Sequence, residues 1–227
     1  MNESTFSIPR YLKNKSNFSF WHSMILECQK LVDLTKVENV VDFGCGDGSF
    51  VELFNHEYPS INIIGVEKQK KLIETCKLKR IDANFISYDN FDNIEDESQD
   101  LFFSQEVVYT IKDLTNHANE IFNKLKKGGY YLFTVGCHIN NPTWERRKVR
   151  IDVEEEYNAY NYSPSEISKV FFDMGFRVAV KKLPIVYPLV FSYDEEREFL
   201  KIEDLIESSE NNKLLFVMLK LKYSWDE

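Results

Sequence analysis

Residues 40–50 read Val40-Val41-Asp42-Phe43-Gly44-Cys45-Gly46-Asp47-Gly48-Ser49-Phe50. A short apolar run meets three glycines at alternate positions, and an amphipathic segment follows. Consecutive apolar residues suit a strand buried on both faces, and glycines let the backbone turn sharply and a ligand approach it closely. The spacing is G-x-G-x-G. A dinucleotide fingerprint needs its third glycine at position 49, where Ser49 stands; a P-loop needs a Lys-Ser/Thr pair that Gly48-Ser49-Phe50 lacks. The loop is therefore expected to cradle something other than a pyrophosphate. The next apolar run, 62–67, ends at Glu67, a carboxylate placed to accept both hydroxyls of a ribose. Asp89 follows the third run and can meet an adenine edge. Asp42 can hold the glycine loop or receive an ammonium group.

Outward from this loop the chain alternates short apolar runs with longer amphipathic ones. The spacing predicts strands over 40–44, 62–67, 84–88, 100–105, 130–135, 176–183 and 214–222. Helices fall between them. One over about 20–34 precedes the first strand. A second places Leu114, Ala118, Ile121, Phe122 and Leu125 on one face and is expected to stop at Gly128-Gly129. A third opens at the capping box Ser163-Pro164-Ser165-Glu166 and ends at Gly175. Strand–helix alternation of this kind predicts an α/β, doubly wound sheet. Two stretches break it, 137–162 and 184–212. Both exceed a plain turn and are expected to be substrate-side insertions, with residues 1–36 forming an N-terminal helix or lid.

The 227 residues carry 28 Lys and Arg against 37 Asp and Glu, a net charge of -9. With 43% hydrophobic residues there is enough apolar surface to offset ordering entropy, which excludes a disordered chain. The length suits one domain, 1–227. Acidity argues against nucleic acid as partner, since duplex binding rests on clustered Lys and Arg. No apolar run approaches the ~18 residues that span a bilayer, and MNESTFSIPR lacks a signal-peptide layout. Cys28, Cys45, Cys76 and Cys137 are scattered with no C-x-x-C pair, so neither a zinc site nor a disulfide framework is expected. The simplest expectation is a cytoplasmic monomer or homodimer with no metal.

The stretches VVDFGCGDGSF (40–50), GVE (65–67), SYDNF (87–91), DLFFSQEVVYTIKD (100–113) and LKKGGYYLFTV (125–135) together resemble the class I S-adenosylmethionine-dependent methyltransferases. The resemblance covers residues 20–136, with weaker echoes beyond. It implies a Rossmann-like methyltransferase fold, seven-stranded and mostly parallel with an antiparallel last strand. It implies S-adenosyl-L-methionine as cofactor and S-adenosyl-L-homocysteine as product. Gly44 and Gly46 would approach the methionine part, Glu67 the ribose, and Asp89 with Asn90 the adenine. Gln105 would face the sulfonium and the acceptor. Asp42, Cys45, Lys68 and Phe91 belong to the same implied cofactor set. Tyr11 either folds over the cofactor or completes the core.

The chain departs from the family pattern where many small-molecule members carry a His after the fourth strand; here Tyr109 stands there. Tyr109 is a candidate to orient an acceptor or line the pocket. The Asn/Asp-Pro-Pro-aromatic motif of amino-group methyltransferases is absent. His138 is the first candidate base, because it lies just past the fifth strand; the alternative is a loop histidine with a structural hydrogen bond. Arg146 and Arg147 could clamp an acceptor's carboxylate or phosphate, or form a solvated helix face. Glu106 and Tyr160 complete the candidate substrate set. The expectation is methyl transfer to an oxygen of an anionic or sugar-like small molecule. Small-molecule N-methylation and a cofactor-binding, inactive scaffold stay open beside it, as do an aminopropyl transferase and, disfavoured by Ser49, an NAD-dependent oxidoreductase.

Overall fold

The computed structural model describes residues 17–79, 81–154, 157–189, 191 and 199–221. Tyr11 lies outside them. Seven strands form one sheet: β1 Asn39–Phe43, β2 Asn62–Glu67, β3 Asn84–Ser87, β4 Gln99–Gln105, β5 Leu125–Val135, β6 Phe176–Lys182 and β7 Leu214–Lys220. Their order is β3-β2-β1-β4-β5-β7-β6. Pairings among β1 to β5 are parallel, and β7 is antiparallel to both neighbours. The doubly wound sheet with an antiparallel last strand is thus as expected.

Seven α-helices accompany it among the described residues: α1 Phe18–Leu31, α2 Ser49–Glu57, α3 Lys70–Leu78, α4 Leu114–Lys124, α5 Trp144–Glu154, α6 Pro164–Asp173 and α7 Ile202–Ile206. The central strands are apolar at successive positions because each face needs its own core. Val40, Phe103, Leu132 and Leu215 meet Phe20, Met24, Ile25, Phe50, Phe54 and Ile73 from α1, α2 and α3. Val41, Phe102, Phe133 and Phe216 meet Leu114, Ala118, Ile121, Ile167 and Phe171 from α4 and α6. A third, smaller cluster of Tyr109, Cys137, Trp144, Ile151 and Ala159 involves α5 and the loops after β4 and β5.

Gly128-Gly129 does not stop α4. The helix closes at Leu125, whose amide bonds Ile121 O and whose own backbone is already extended at ψ 136°. β5 begins there, opposite Gln99; the register then slips, so that Leu101 faces Tyr130. The glycines lie within that slip, Gly128 at φ 84°, and serve as a bulge rather than a helix terminator. The stretch 184–212 is not irregular throughout, because it holds α7 followed by a π-helical turn, Glu207–Asn211.

Candidate functional site

The site is built where β1, β2, β4 and β5 end. After β1 the chain folds back onto β2: Gly44 N and Cys45 N both donate to Val66 O, at 2.8 and 3.0 Å. Gly46 N donates to Glu67 Oε2 at 2.9 Å. Asp47 holds the start of α2, accepting from Ser49 N and Ser49 Oγ at 3.1 and 2.8 Å and from Lys79 Nζ at 3.0 Å. Burial pushes the Asp47 carboxyl up, but the Ser49 and Lys79 bonds outweigh it and keep the group below its usual range.

The glycines are not equivalent. A Cβ on Gly44 would lie 2.3 Å from Val107 Cγ2, whereas one on Gly46 would meet nothing within 4 Å. Gly44 thus fits against the loop after β4, and Gly46 faces open space. Cys45 and Cys76 are buried, and Cys76 Sγ donates to Gly46 O at 3.3 Å. Asp42 is buried at 2% exposure; burial first, then the neighbouring Glu67 and Cys76, push its carboxyl well above the usual range.

Glu67 is buried at 4% exposure, with its oxygens crowded by donors. Oε1 accepts from Lys68 N at 2.7 Å, Gln69 N at 2.9 Å and Tyr157 Oη at 3.0 Å. Lys68 therefore enters the site through its backbone, while its side chain is exposed. Asp89 and Asn90 are exposed beyond β3, and Lys70 Nζ lies 3.8 Å from Asp89. Phe91 is buried against Phe43, with centroids 5.2 Å apart, so it floors this corner from the core.

At the end of β4, both side-chain amide atoms of Gln105 are buried and have no hydrogen-bond partner among the described residues. A buried amide without partners costs about 1–3 kcal/mol, so its presence asks for a polar group to meet it. Glu106 follows in the left-handed region at φ 57°, an uncommon conformation for a residue with a side chain. Its carboxylate accepts from Gly136 N at 2.8 and 3.1 Å and from Lys213 Nζ at 2.8 Å. Burial raises its pKa, but Lys213, Arg147 and the Gly136 amide together hold it below the usual carboxylate range. Glu106 is therefore ionised and cation-bound at neutral pH.

Lys213, which sequence reading missed, immediately precedes β7. Nothing local in the sequence marks it; β7 pairing places it here, because Leu214 lies opposite Val135. Arg147 Nη1 reaches Ser208 Oγ at 3.4 Å and would lie 3.4 Å from a Cβ on Gly136. It points inward, whereas Arg146 is exposed and pairs with Asp204 at 3.2 Å. Asn141 and Thr143 tie the loop after β5 to the π-helical turn: Asn141 Nδ2 donates to Gly136 O at 2.6 Å and to Ser208 Oγ at 3.1 Å, and Thr143 Oγ1 lies 3.2 Å from Ser208 Oγ.

His138 is 2% exposed and its Nε2 lies 2.8 Å from Asn212 O. A carbonyl only accepts, so Nε2 is the donor in this bond. Tyr109 is buried edge-on to Trp144, 5.8 Å between centroids, and Tyr160 N donates to Tyr109 O at 2.8 Å. No cluster of three or more His, Cys, Asp or Glu poised for a metal occurs among the described residues. No helix among them is long and apolar enough to cross a membrane.

Residues 41–133 match the family described as Methyltransferase domain. The chain is 23% identical over 112 residues to trans-aconitate 2-methyltransferase of Rhizobium rhizogenes, covering 49% of this chain and 44% of that one. It is 29% identical over 145 residues to malonyl-[acyl-carrier protein] O-methyltransferase 2 of Ilyobacter polytropus, covering 62% and 56%. The chain thus spans about half the length of these relatives. In fold it is similar to a Haloferax volcanii chain solved in complex with the Trm112 methyltransferase activator, with TM-score 0.71, 18% identity, and 94% and 92% of the two chains covered.

Proposed function

We propose that the chain, whose residues 41–133 match the methyltransferase domain family, is a class I S-adenosylmethionine-dependent methyltransferase that transfers the cofactor's methyl group to an oxygen of an anionic small molecule, most simply a carboxylate. The observation that carries this reading is one sheet edge bearing three features together: the open face of Gly46, the Glu67 carboxylate and the unpartnered Gln105 amide. These residues fit the family's cofactor. Glu67 would take the ribose diol, Gly44 and Gly46 with Asp42 would flank the methionine part, Asp89 and Asn90 would border the adenine, and Gln105 would meet the reacting end. Bound there, the cofactor supplies a methyl already activated on sulfur.

The chain's own task is then alignment. Arg147 and Lys213 lie at the acceptor side, beside Glu106, and a guanidinium fork suits a carboxylate. A carboxylate is already deprotonated near pH 7 and needs no base. That agrees with Glu106 ionised against Lys213 and with His138 donating from Nε2 to a backbone carbonyl. The two similar proteins also support an acidic acceptor, since their names give trans-aconitate, a tricarboxylate, and an O-methyl transfer to a malonyl group. Residues 137–162 and 184–212 are read as the acceptor-side insertions, and the enzyme as cytoplasmic, acting as a monomer or homodimer.

The test is calorimetric titration with S-adenosylhomocysteine and NAD, followed by transfer of labelled methyl from S-adenosylmethionine to panels of small carboxylic acids and amines. Micromolar binding of the nucleoside thioether, none of NAD, and label released as volatile methanol after mild base treatment of the acid panel are expected. Base-stable label in the amine panel would replace the oxygen reading with a nitrogen one. Binding without transfer to either panel would favour an inactive scaffold.

A further inference from the structure

Glu67 is crowded on one oxygen, with three donors on Oε1 and one on Oε2. A carboxylate offers about four lone-pair positions. Here it receives four donors: three backbone amides, from Gly46, Lys68 and Gln69, and the Tyr157 hydroxyl. The amides belong to the strand ends and turns that define the loop. Tyr157 comes from elsewhere, 90 residues along the chain, and is the one donor of the four that a side-chain rotation can withdraw.

Tyr157 does not stand alone. It packs against the cluster of Tyr109, Cys137, Trp144, Ile151 and Ala159. Ala159 N donates to Asp152 Oδ1 at 2.7 Å, and Tyr160 N to Tyr109 O at 2.8 Å. The segment from Tyr157 to Tyr160 is thereby fastened to α5 at one point and to the loop after β4 at the next. Through α5 it reaches Arg147 and Ser208. Tyr157 is thus linked to α5, the element that bears Arg147.

From this we infer that Tyr157 is a positioning residue that competes with the cofactor's ribose for Glu67, coupling cofactor binding to the setting of the 137–162 insertion. The inference rests on the cofactor reading above. A ribose diol needs two acceptor positions on the carboxylate. With three donors already on Oε1 and one on Oε2, a diol that engages both oxygens finds room on Oε1 only by displacing the tyrosine hydroxyl, the one movable donor there. Binding therefore includes the cost of breaking the Tyr157–Glu67 hydrogen bond, and a chain without that hydroxyl binds more tightly.

Tyr157→Phe keeps the ring in its cluster and removes only the donor. Calorimetry with S-adenosylhomocysteine on the full chain is expected to give an affinity about threefold to tenfold higher for Tyr157→Phe than for the parent protein. The shift in Tm at saturating S-adenosylhomocysteine should grow by the same linkage. A merely structural tyrosine moves affinity downward or not at all when truncated, so an equal or weaker affinity in Tyr157→Phe overturns the competition. If the parent protein itself fails to bind S-adenosylhomocysteine, the cofactor reading falls, and this inference with it. Parent binding that Tyr157→Phe leaves unchanged removes the inference alone.

Discussion

Gly44 and Gly46 stand two residues apart in one loop, both in the left-handed region, at φ 77° and 55°. Their surroundings separate stability from binding. Gly44→Ala drives a methyl into Val107 and strains the backbone, so urea denaturation should show a loss of about 2–5 kcal/mol. Gly46→Ala meets no protein atom and should cost only the backbone term, about 1–2 kcal/mol. The same variant should lower S-adenosylhomocysteine affinity at least tenfold by calorimetry, because its methyl enters the space a ligand would fill. Equal affinity for Gly46→Ala and the parent would remove the loop from the cofactor site. The G-x-G-x-G spacing was readable as a ligand cradle; which glycine serves packing and which serves the ligand depends on Val107, 63 residues away.

At the scale of elements, α6 shows a start written entirely in local sequence. Ser163 Oγ accepts from Glu166 N at 3.1 Å, and Ser163 N donates to Glu166 Oε2 at 2.7 Å. Ser163→Ala should cost about 1 kcal/mol in chemical denaturation, with S-adenosylhomocysteine affinity unchanged. Capping and glycine turns make most element positions legible in the sequence, because their physics lies within four residues. The end of α4 was not legible. Leu125 continues the apolar stripe of Leu114, Ala118 and Ile121, yet it pairs opposite Gln99 as the first residue of β5. Strand register with β4 outweighs a one-residue helical propensity. The candidate site divides the same way. Glu67 and Gln105 were visible as strand ends, whereas Lys213 arrives through β7 pairing, and Tyr157, readable only as a lid or acceptor-pocket tyrosine, reaches Glu67 through a loop crossing with no local trace.

Across the whole molecule, one buried histidine ties stability to pH. His117 lies between the sheet and α6, its Nε2 3.1 Å from Tyr131 Oη and its ring 4.6 Å from Phe43. Burial lowers its pKa to about 3. In the unfolded chain a histidine takes up a proton near pH 6.5. Between those values the unfolded state holds one proton more, so stability rises with pH and falls as pH drops below 6.5. Stability at pH 5 should be about 2 kcal/mol lower than at pH 7 from this group, and urea midpoints for His117→Gln should show a flatter slope over that interval. The sheet order adds a kinetic consequence. β7 lies between β5 and β6 although it follows both in the chain. During synthesis at about 5–20 residues per second, the edge of β5 emerges several seconds before the strand that covers it. For that interval the nascent chain presents Tyr131 and Phe133 on an open strand edge, a template for mispairing that only the last strand removes.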